Sequence, residues 1–165
     1  ESIYDKTLEF MNRGHDYRSV LDALRMSQGR GFEIGAHVIM GMPTETRDEM
    51  MATAAEVSGL GIDCFKVHNL HIVKNTPLER MYRADPFPLF GFGEYIDFIV
   101  EFLERLSPGM VVERLFTDTP RQLLVAPDWG KSHIQVMQAI EAELEKRDTF
   151  QGRLYGLDDR AASAL

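Results

Sequence analysis

The sequence predicts an α/β protein with a mainly parallel sheet covered by helices. Helical and strand-like patterns alternate along the first half of the chain in the order helix, strand, helix, strand, which is typical of parallel sheets. The strand-like stretches contain few polar residues, and this composition favours strands that are buried on both faces. With 44% hydrophobic and 27% charged residues, the chain has enough apolar side chains for a packed core.

The first two helices are indicated by capping residues. Ser2 and Asp5 have the spacing of a capping box, so we expect a helix from there to about Asn12. After a turn, Asp16 is placed to cap a second helix, whose apolar residues recur at helical spacing up to Leu24. Both helices therefore precede the first complete strand.

Two strands are predicted from alternating side chains, at residues 32–41 and 62–70. Between them, Thr46 begins a helix with a second capping box. Ligands of (β/α) proteins bind beyond the carboxyl ends of such strands, so the turn that ends the first strand marks the functional edge of the sheet. The alternation gives each strand one face of interest, with Gly35, His37, Ile39 and Gly41 on the first and Lys66, His68 and Leu70 on the second.

The second half of the chain is predicted to contain further helices and another strand. Thr76 begins a short helix, residues 94–106 form an amphipathic helix, and Ser132 begins the last one. Residues 111–116 have the pattern of a strand. We expect a loose tail from Asp148 onward.

Charge and cysteine content exclude several classes of function. A net charge of −8 disfavours a nucleic-acid partner, which would call for a basic surface. Cys64 is the sole cysteine, so a disulfide framework and an all-cysteine metal site are excluded. No apolar run approaches the ~20 residues that span a bilayer, and no leader opens the chain. We therefore expect a cytoplasmic protein with no membrane partner.

Three stretches of the chain, taken in order, resemble one enzyme superfamily. Residues 8–15 end in Asn-Arg-Gly-His, residues 39–46 read Ile-Met-Gly-Met-Pro-Thr-Glu-Thr, and residues 66–78 end in Lys-Asn-Thr-Pro-Leu. They resemble the turn after the fourth strand, the end of the fifth strand and the exit of the sixth strand in the radical S-adenosylmethionine (SAM) superfamily. The similarity is to its coproporphyrinogen-dehydrogenase-like and elongator-like branches, and residues 112–129 resemble the extension of an uncharacterised Fe–S oxidoreductase branch.

The resemblance implies the C-terminal half of a (β/α)6 partial TIM barrel plus an α/β extension. Residues 1–75 would be the last β/α units of the barrel, and residues 76–165 the helical and strand extension. Because the chain opens at Glu1 without a methionine, we interpret it as part of a larger enzyme, cut inside its catalytic domain. The missing N-terminal half of the barrel would then be its first partner.

The same resemblance implies a radical SAM reaction for the parent enzyme. The parent would bind a [4Fe–4S] cluster and SAM, cleave SAM reductively to a 5′-deoxyadenosyl radical, and abstract hydrogen from an unknown substrate, small or macromolecular. The cysteine motif CxxxCxxC that holds the cluster is absent from this chain, and Cys64 cannot replace it. We therefore expect the chain to carry part of the SAM and substrate wall and to be inactive alone.

Five residues are candidates for contact with SAM: Ser2, Arg13, Ile39, Gly41 and His68. The resemblance places the first four near the cofactor, where an arginine fork suits a carboxylate and glycine permits close backbone approach to adenine. Each also has a plainer interpretation. Ser2 suits a helix cap, Arg13 a surface position and Ile39 ordinary barrel core.

On the substrate side the candidates are His37, Glu45 and Lys66. Buried polar groups are costly unless they are paired, so two histidines and a lysine that converge inside a barrel suggest a substrate or SAM pocket. Satisfied core histidines explain His37 and His68 equally well, and helix-start electrostatics explain Glu45. No metal ligand is assigned.

Two other functions stay open at this point. A metal-dependent hydrolase or lyase on a (β/α) barrel would use His37, His68 and a carboxylate such as Glu45. A non-catalytic interaction module would dock a partner through the amphipathic helices. Half a barrel is also expected to expose a strand edge and an apolar inner face, so the chain should form a homodimer or cover that edge with its extension.

Overall fold

A three-stranded parallel sheet organises the chain. The computed structural model describes residues 1–157. In chain order the elements are α1 (Asp5–Phe10), α2 (Tyr17–Ser27), β1 (Gly35–Met40), α3 (Arg47–Gly59), β2 (Cys64–Asn69), β3 (Ile72–Val73), α4 (Pro77–Ala84), α5 (Phe92–Arg105), β4 (Val111–Arg114), β5 (Leu124–Ala126) and α6 (His133–Lys146). The sheet order is β1-β2-β4 with every pair parallel, so the α/β class with a parallel sheet is confirmed.

Most helices begin where the capping residues predict. Asp16 accepts the backbone N–H of Ser19 at the start of α2, and Thr46 completes a reciprocal capping box at the start of α3. Thr76 caps α4 by accepting the backbone N–H of Glu79, and Ser132 completes a second reciprocal capping box at the start of α6. None of the helices within residues 1–157 combines the length and the apolar character that a membrane crossing requires.

The capping box expected at Ser2 and Asp5 is wrong. The N-cap of α1 is Tyr4, and no side chain caps it. Ser2 is buried; its Oγ accepts the backbone N–H of Tyr4 at 3.0 Å and donates to the carboxylate of Glu45. A tertiary contact with a distant loop therefore replaces the local cap.

The hydrophobic core lies on one face of the sheet, beneath α3 and α5. Val38 and Met40 of β1 and Phe65 and Val67 of β2 point into it and are almost completely buried. On the opposite face His37 is exposed and Ile39, Lys66 and His68 are half-buried within the described residues, so burial on both faces is not observed there. Beside the apolar Ile39, this open face carries the polar and charged side chains of His37, Lys66 and His68, so it is not the purely apolar surface that was expected.

The second half of the chain completes this core. α5 contributes the largest set of buried side chains: Tyr95, Ile96, Phe98, Ile99, Val100, Phe102 and Leu103. β4 extends the sheet beside β2, while β3 and β5 form a separate two-stranded antiparallel sheet. The region after residue 75 thus shares one core with the region before it.

Residues 148–157 fold back onto α5, unlike the loose tail expected from Asp148. The backbone N–H of Gly152 donates to the carbonyl of Leu103 at 2.9 Å, and that of Leu154 donates to the carbonyl of Glu104 at 2.7 Å. These bonds fix the segment after α6. The expectation of a loose tail at residues 158–165 falls outside the described residues.

Candidate functional site

Two stacked histidines lie on the open face of the sheet. The rings of His37 on β1 and His68 on β2 have centroids 5.4 Å apart and planes inclined by 22°. In the parallel register Ile39 lies opposite His68, and His37 lies opposite Lys66. The alternation of the two strands therefore places these predicted site residues on one surface.

His68 is partly satisfied and partly unpaired. Its Nδ1 lies 2.8 Å from the hydroxyl oxygen of Thr117, whereas its Nε2 is buried without a hydrogen-bond partner in the described part of the chain. Burial lowers the pKa of the imidazole, and the nearby His37 and Arg114 lower it further. The ring is therefore neutral at pH 7 and offers one unused nitrogen.

Lys66 forms an ion pair with a residue of the neighbouring strand. Its ammonium group lies 2.6 Å from the carboxylate of Glu113 on β4, and this bond lowers the pKa of Glu113. Cys64 stands at the start of β2, and burial followed by the Glu113 carboxylate raises the pKa of its thiol. Lys66 thus balances a neighbouring charge, and the cysteine lies at the end of the strand opposite to the functional edge.

The first two residues run beside the carboxyl half of β1. The carbonyl of Glu1 accepts the backbone N–H of Ile39 at 2.9 Å, and the Glu1 carboxylate pairs with Arg13 at 3.1 Å. Ser2 donates to Glu45 in the loop after β1. Two of the predicted residues, Arg13 and Glu45, are therefore engaged by acidic and hydroxyl partners within the chain.

The backbone conformation and the close packing at position 41 both require a glycine. Its φ is +93°, and a Cβ at this position would lie 3.1 Å from the ring of Phe90. Gly41 and Glu45 line a cavity of about 250 Å³ at the point where α3 and α5 begin, on the side of the Phe90 loop. This cavity is separate from the stacked histidines, so the structure does not bring all predicted residues into one pocket.

A polar network that the sequence analysis did not identify ties β2 to the segment after β4. The backbone N–H of Thr117 donates to Asn69 Oδ1 at 3.0 Å, and the Nδ1 atom of His71 lies 2.6 Å from the Thr119 hydroxyl. The Asn69 amide also contacts the other nitrogen of His71. Polar residues directly after two neighbouring parallel strands were the available signal, because those strand ends meet at one edge.

Comparison with models of protein families shows which family the chain belongs to. The model of the radical SAM superfamily matches residues 1–57, and that of the radical SAM C-terminal domain matches residues 62–146. The chain belongs to the radical SAM superfamily. The resemblance inferred from the three sequence stretches is thereby confirmed.

Two uncharacterised relatives are similar in sequence to most of this chain. An uncharacterised protein of Methanocaldococcus jannaschii is 38% identical over 92% of the chain and 48% of its own length, and the uncharacterised YtqA of Bacillus subtilis is 31% identical over 94% of the chain and 48% of its own length. The chain thus spans about half the length of these curated relatives. The solved structure of Elp3 from the archaeon Methanocaldococcus infernus, lacking its N-terminus, superimposes with a TM-score of 0.80 at 20% identity, covering 91% of the chain and 35% of that structure.

The described residues suit one radical SAM cofactor and not the other. The unpaired nitrogen of His68 and the apolar side chain of Ile39 suit the polar and adenine parts of SAM. A [4Fe–4S] cluster needs several thiolates, and Cys64 is the sole cysteine of the chain. Among residues 1–157, no group of three His, Cys, Asp or Glu side chains is arranged to hold a metal ion, so the metal-dependent hydrolase hypothesis gains no support there.

Proposed function

We propose that the protein carrying this chain is a radical SAM enzyme that cleaves SAM reductively and removes a hydrogen atom from a substrate still to be identified. The chain contributes part of the SAM wall, and the cluster is held by cysteines outside it. The observation that carries the proposal is the buried, unpaired Nε2 of His68 on the open sheet face of a radical SAM chain. A buried nitrogen without a partner is costly, so a ligand group that pairs with it gains that free energy.

The neighbouring residues have complementary roles in this proposal. Ile39, in register with His68, supplies apolar surface for the adenine ring. Arg13 would bind the SAM carboxylate in exchange for Glu1, since the Arg13–Glu1 ion pair is partly exposed and such pairs contribute little stability. When bound, SAM supplies the adenosyl group and the cluster supplies the electron. His68, Ile39 and Arg13 bind and orient the cofactor.

The open edge of β1 defines where the rest of the barrel would join. The carbonyl of Glu1 already occupies the backbone N–H of Ile39, and a strand that continues along this line would pair with the remainder of β1. We propose the preceding half of the barrel as this partner. The chain alone, without that half and without cluster ligands, would be inactive.

The first test is the coding sequence upstream of the Glu1 codon, which should encode CxxxCxxC followed by strand–helix units. The complete protein, prepared without oxygen and reduced with dithionite, should release 5′-deoxyadenosine from SAM. His68→Ala should weaken SAM binding in calorimetry, whereas His15→Ala, in an exposed turn, should leave it unchanged. A complete protein without the cysteine motif that does not bind SAM would overturn the proposal.

A further inference from the structure

Thr117, in the second half of the chain, contacts His68 in the first half. Thr117 follows β4, and its backbone N–H is held by Asn69 Oδ1 at 3.0 Å. Its hydroxyl lies 2.8 Å from Nδ1 of His68. The preceding residue, Phe116, is buried and anchors this segment against Trp129, with ring centroids 5.5 Å apart. The backbone of Thr117 is therefore held by its bond to Asn69 and by the packing of Phe116, and this fixes where the hydroxyl lies.

The Thr117 contact leaves His68 a single free polar atom. A neutral imidazole has one donor and one acceptor nitrogen. Nδ1 is used by Thr117, and the ring of His37 stacks on that of His68. The remaining nitrogen, Nε2, is buried and unpaired. Because a hydroxyl both donates and accepts, Thr117 can pair with either tautomer of His68, and Nε2 can then serve as donor or acceptor.

We propose that Thr117 is a positioning residue, which holds the imidazole of His68 so that Nε2 meets a polar group of SAM. This inference rests on the proposed function, because it takes SAM as the ligand. It assigns to the segment after β4 a role in cofactor binding that acts through His68 without direct contact with the ligand. Without the hydroxyl, the imidazole of His68 would adopt more than one orientation, and Nε2 would no longer have a fixed direction.

The chain offers a matched set of variants for the test. Thr117→Val removes the hydroxyl and keeps the shape, and Thr117→Ser keeps the hydroxyl. Thr119→Val makes the same change two residues away, at a hydroxyl that contacts His71 instead. Each variant is made in the complete protein, and its fold is checked by thermal melting.

Two measurements distinguish a positioning role of Thr117 from a purely structural one. The side-chain ¹⁵N signals of His68, recorded without SAM, report the environment of its nitrogens, and calorimetry with SAM reports affinity. Thr117→Val should shift the His68 signals and weaken SAM binding about tenfold, a change equal to one lost hydrogen bond. Thr117→Ser should restore both to near wild type. Thr119→Val should shift the signals of His71 and leave SAM affinity unchanged.

A double variant gives an independent check if Thr117→Val also lowers the melting temperature. If Thr117 acts through His68, then Thr117→Val should cause no further loss of SAM affinity in a His68→Ala background. Additive losses in the double variant would overturn the inference, as would unchanged His68 signals or unchanged SAM affinity in Thr117→Val. If the wild-type protein binds no SAM, the proposed function fails, and the ¹⁵N signals still decide whether Thr117 positions the ring.

Discussion

The backbone N–H of Thr117 donates to Oδ1 of Asn69, and this bond settles the tautomer of a histidine two residues beyond Asn69. With Oδ1 occupied as acceptor, the Asn69 amide presents its NH₂ group to Nε2 of His71. Nε2 must then accept, so the proton of the neutral ring sits on Nδ1 and is donated to the Thr119 hydroxyl. Protonation of His71 would bring two donors face to face.

The first prediction concerns Asn69→Asp, which replaces the NH₂ donor facing His71 by an acceptor. The Thr117 N–H still finds an oxygen, but the second oxygen of the carboxylate now accepts a proton from His71. The pKa of His71, lowered by burial in the wild type, should rise, and an NMR titration of the ring would show it. Asn12→Asp adds the same charge in an exposed turn with a φ of 55°, which Asp tolerates. Equal shifts in both variants would contradict the prediction.

The second prediction concerns the pH dependence of stability. Burial lowers the pKa of both His68 and His71 below the unfolded value. Between the lowered values and about pH 6.5 the unfolded chain binds more protons, so the free energy of unfolding rises with pH and levels off above that window. Urea titrations at about pH 5, 6 and 7.5 should show the rise. Replacement of both histidines by glutamine should reduce it, and an unchanged slope would refute the assignment.

The third prediction compares two glycines. Gly41→Ala should destabilise the protein by about 1–2 kcal/mol or more, because alanine is strained at a positive φ and its Cβ would crowd Phe90 at 3.1 Å. Gly59→Ala at the end of α3 meets nothing within 4 Å and should stabilise by about 0.5–1 kcal/mol. Chemical denaturation measures both. Equal effects would show that backbone conformation at Gly41 is not the cause.

The fourth prediction tests a buried hydroxyl in the core. Tyr95 is fully buried, and its OH donates to the carbonyl of Leu115 at 2.6 Å, which joins α5 to the segment after β4. Tyr95→Phe leaves that carbonyl unpaired and should cost about 1–3 kcal/mol of unfolding free energy. Tyr155→Phe, at a side chain that is 45% exposed, should change stability by less than about 0.5 kcal/mol. Similar losses in both variants would contradict this reading.

The fifth prediction concerns association of the chain when it is prepared alone. Backbone groups of Gly35 and His37 point to the same side as those of Ile39, toward the free edge of β1, and an unpaired edge is a template for another strand. Within residues 1–157 neither β4 nor β5 pairs with β1. Sedimentation velocity at increasing concentration should therefore show a homodimer. A monomer at every concentration would mean that the edge is protected in another way.

Local signals account for what the sequence predicted well. Thr46, Thr76 and Ser132 each bond an N–H only three residues ahead, so their helix starts depend on nothing distant. Ser2 has the same kind of sequence signal, but its hydroxyl donates to Glu45, which is distant in sequence. The contact of Thr117 with His68 depends on which strands become neighbours, and chain order alone does not reveal that β4 lies beside β2.

The placement of β4 has a consequence for how the protein can be divided. The two family models meet between residues 57 and 62, yet Phe102 of α5 stacks on Phe65 of β2, with centroids 5.9 Å apart. The core of the first region is therefore finished by side chains of the second. Recombination at that border would separate side chains that pack in one core. We therefore expect the two regions to be inherited together and to unfold as one cooperative unit.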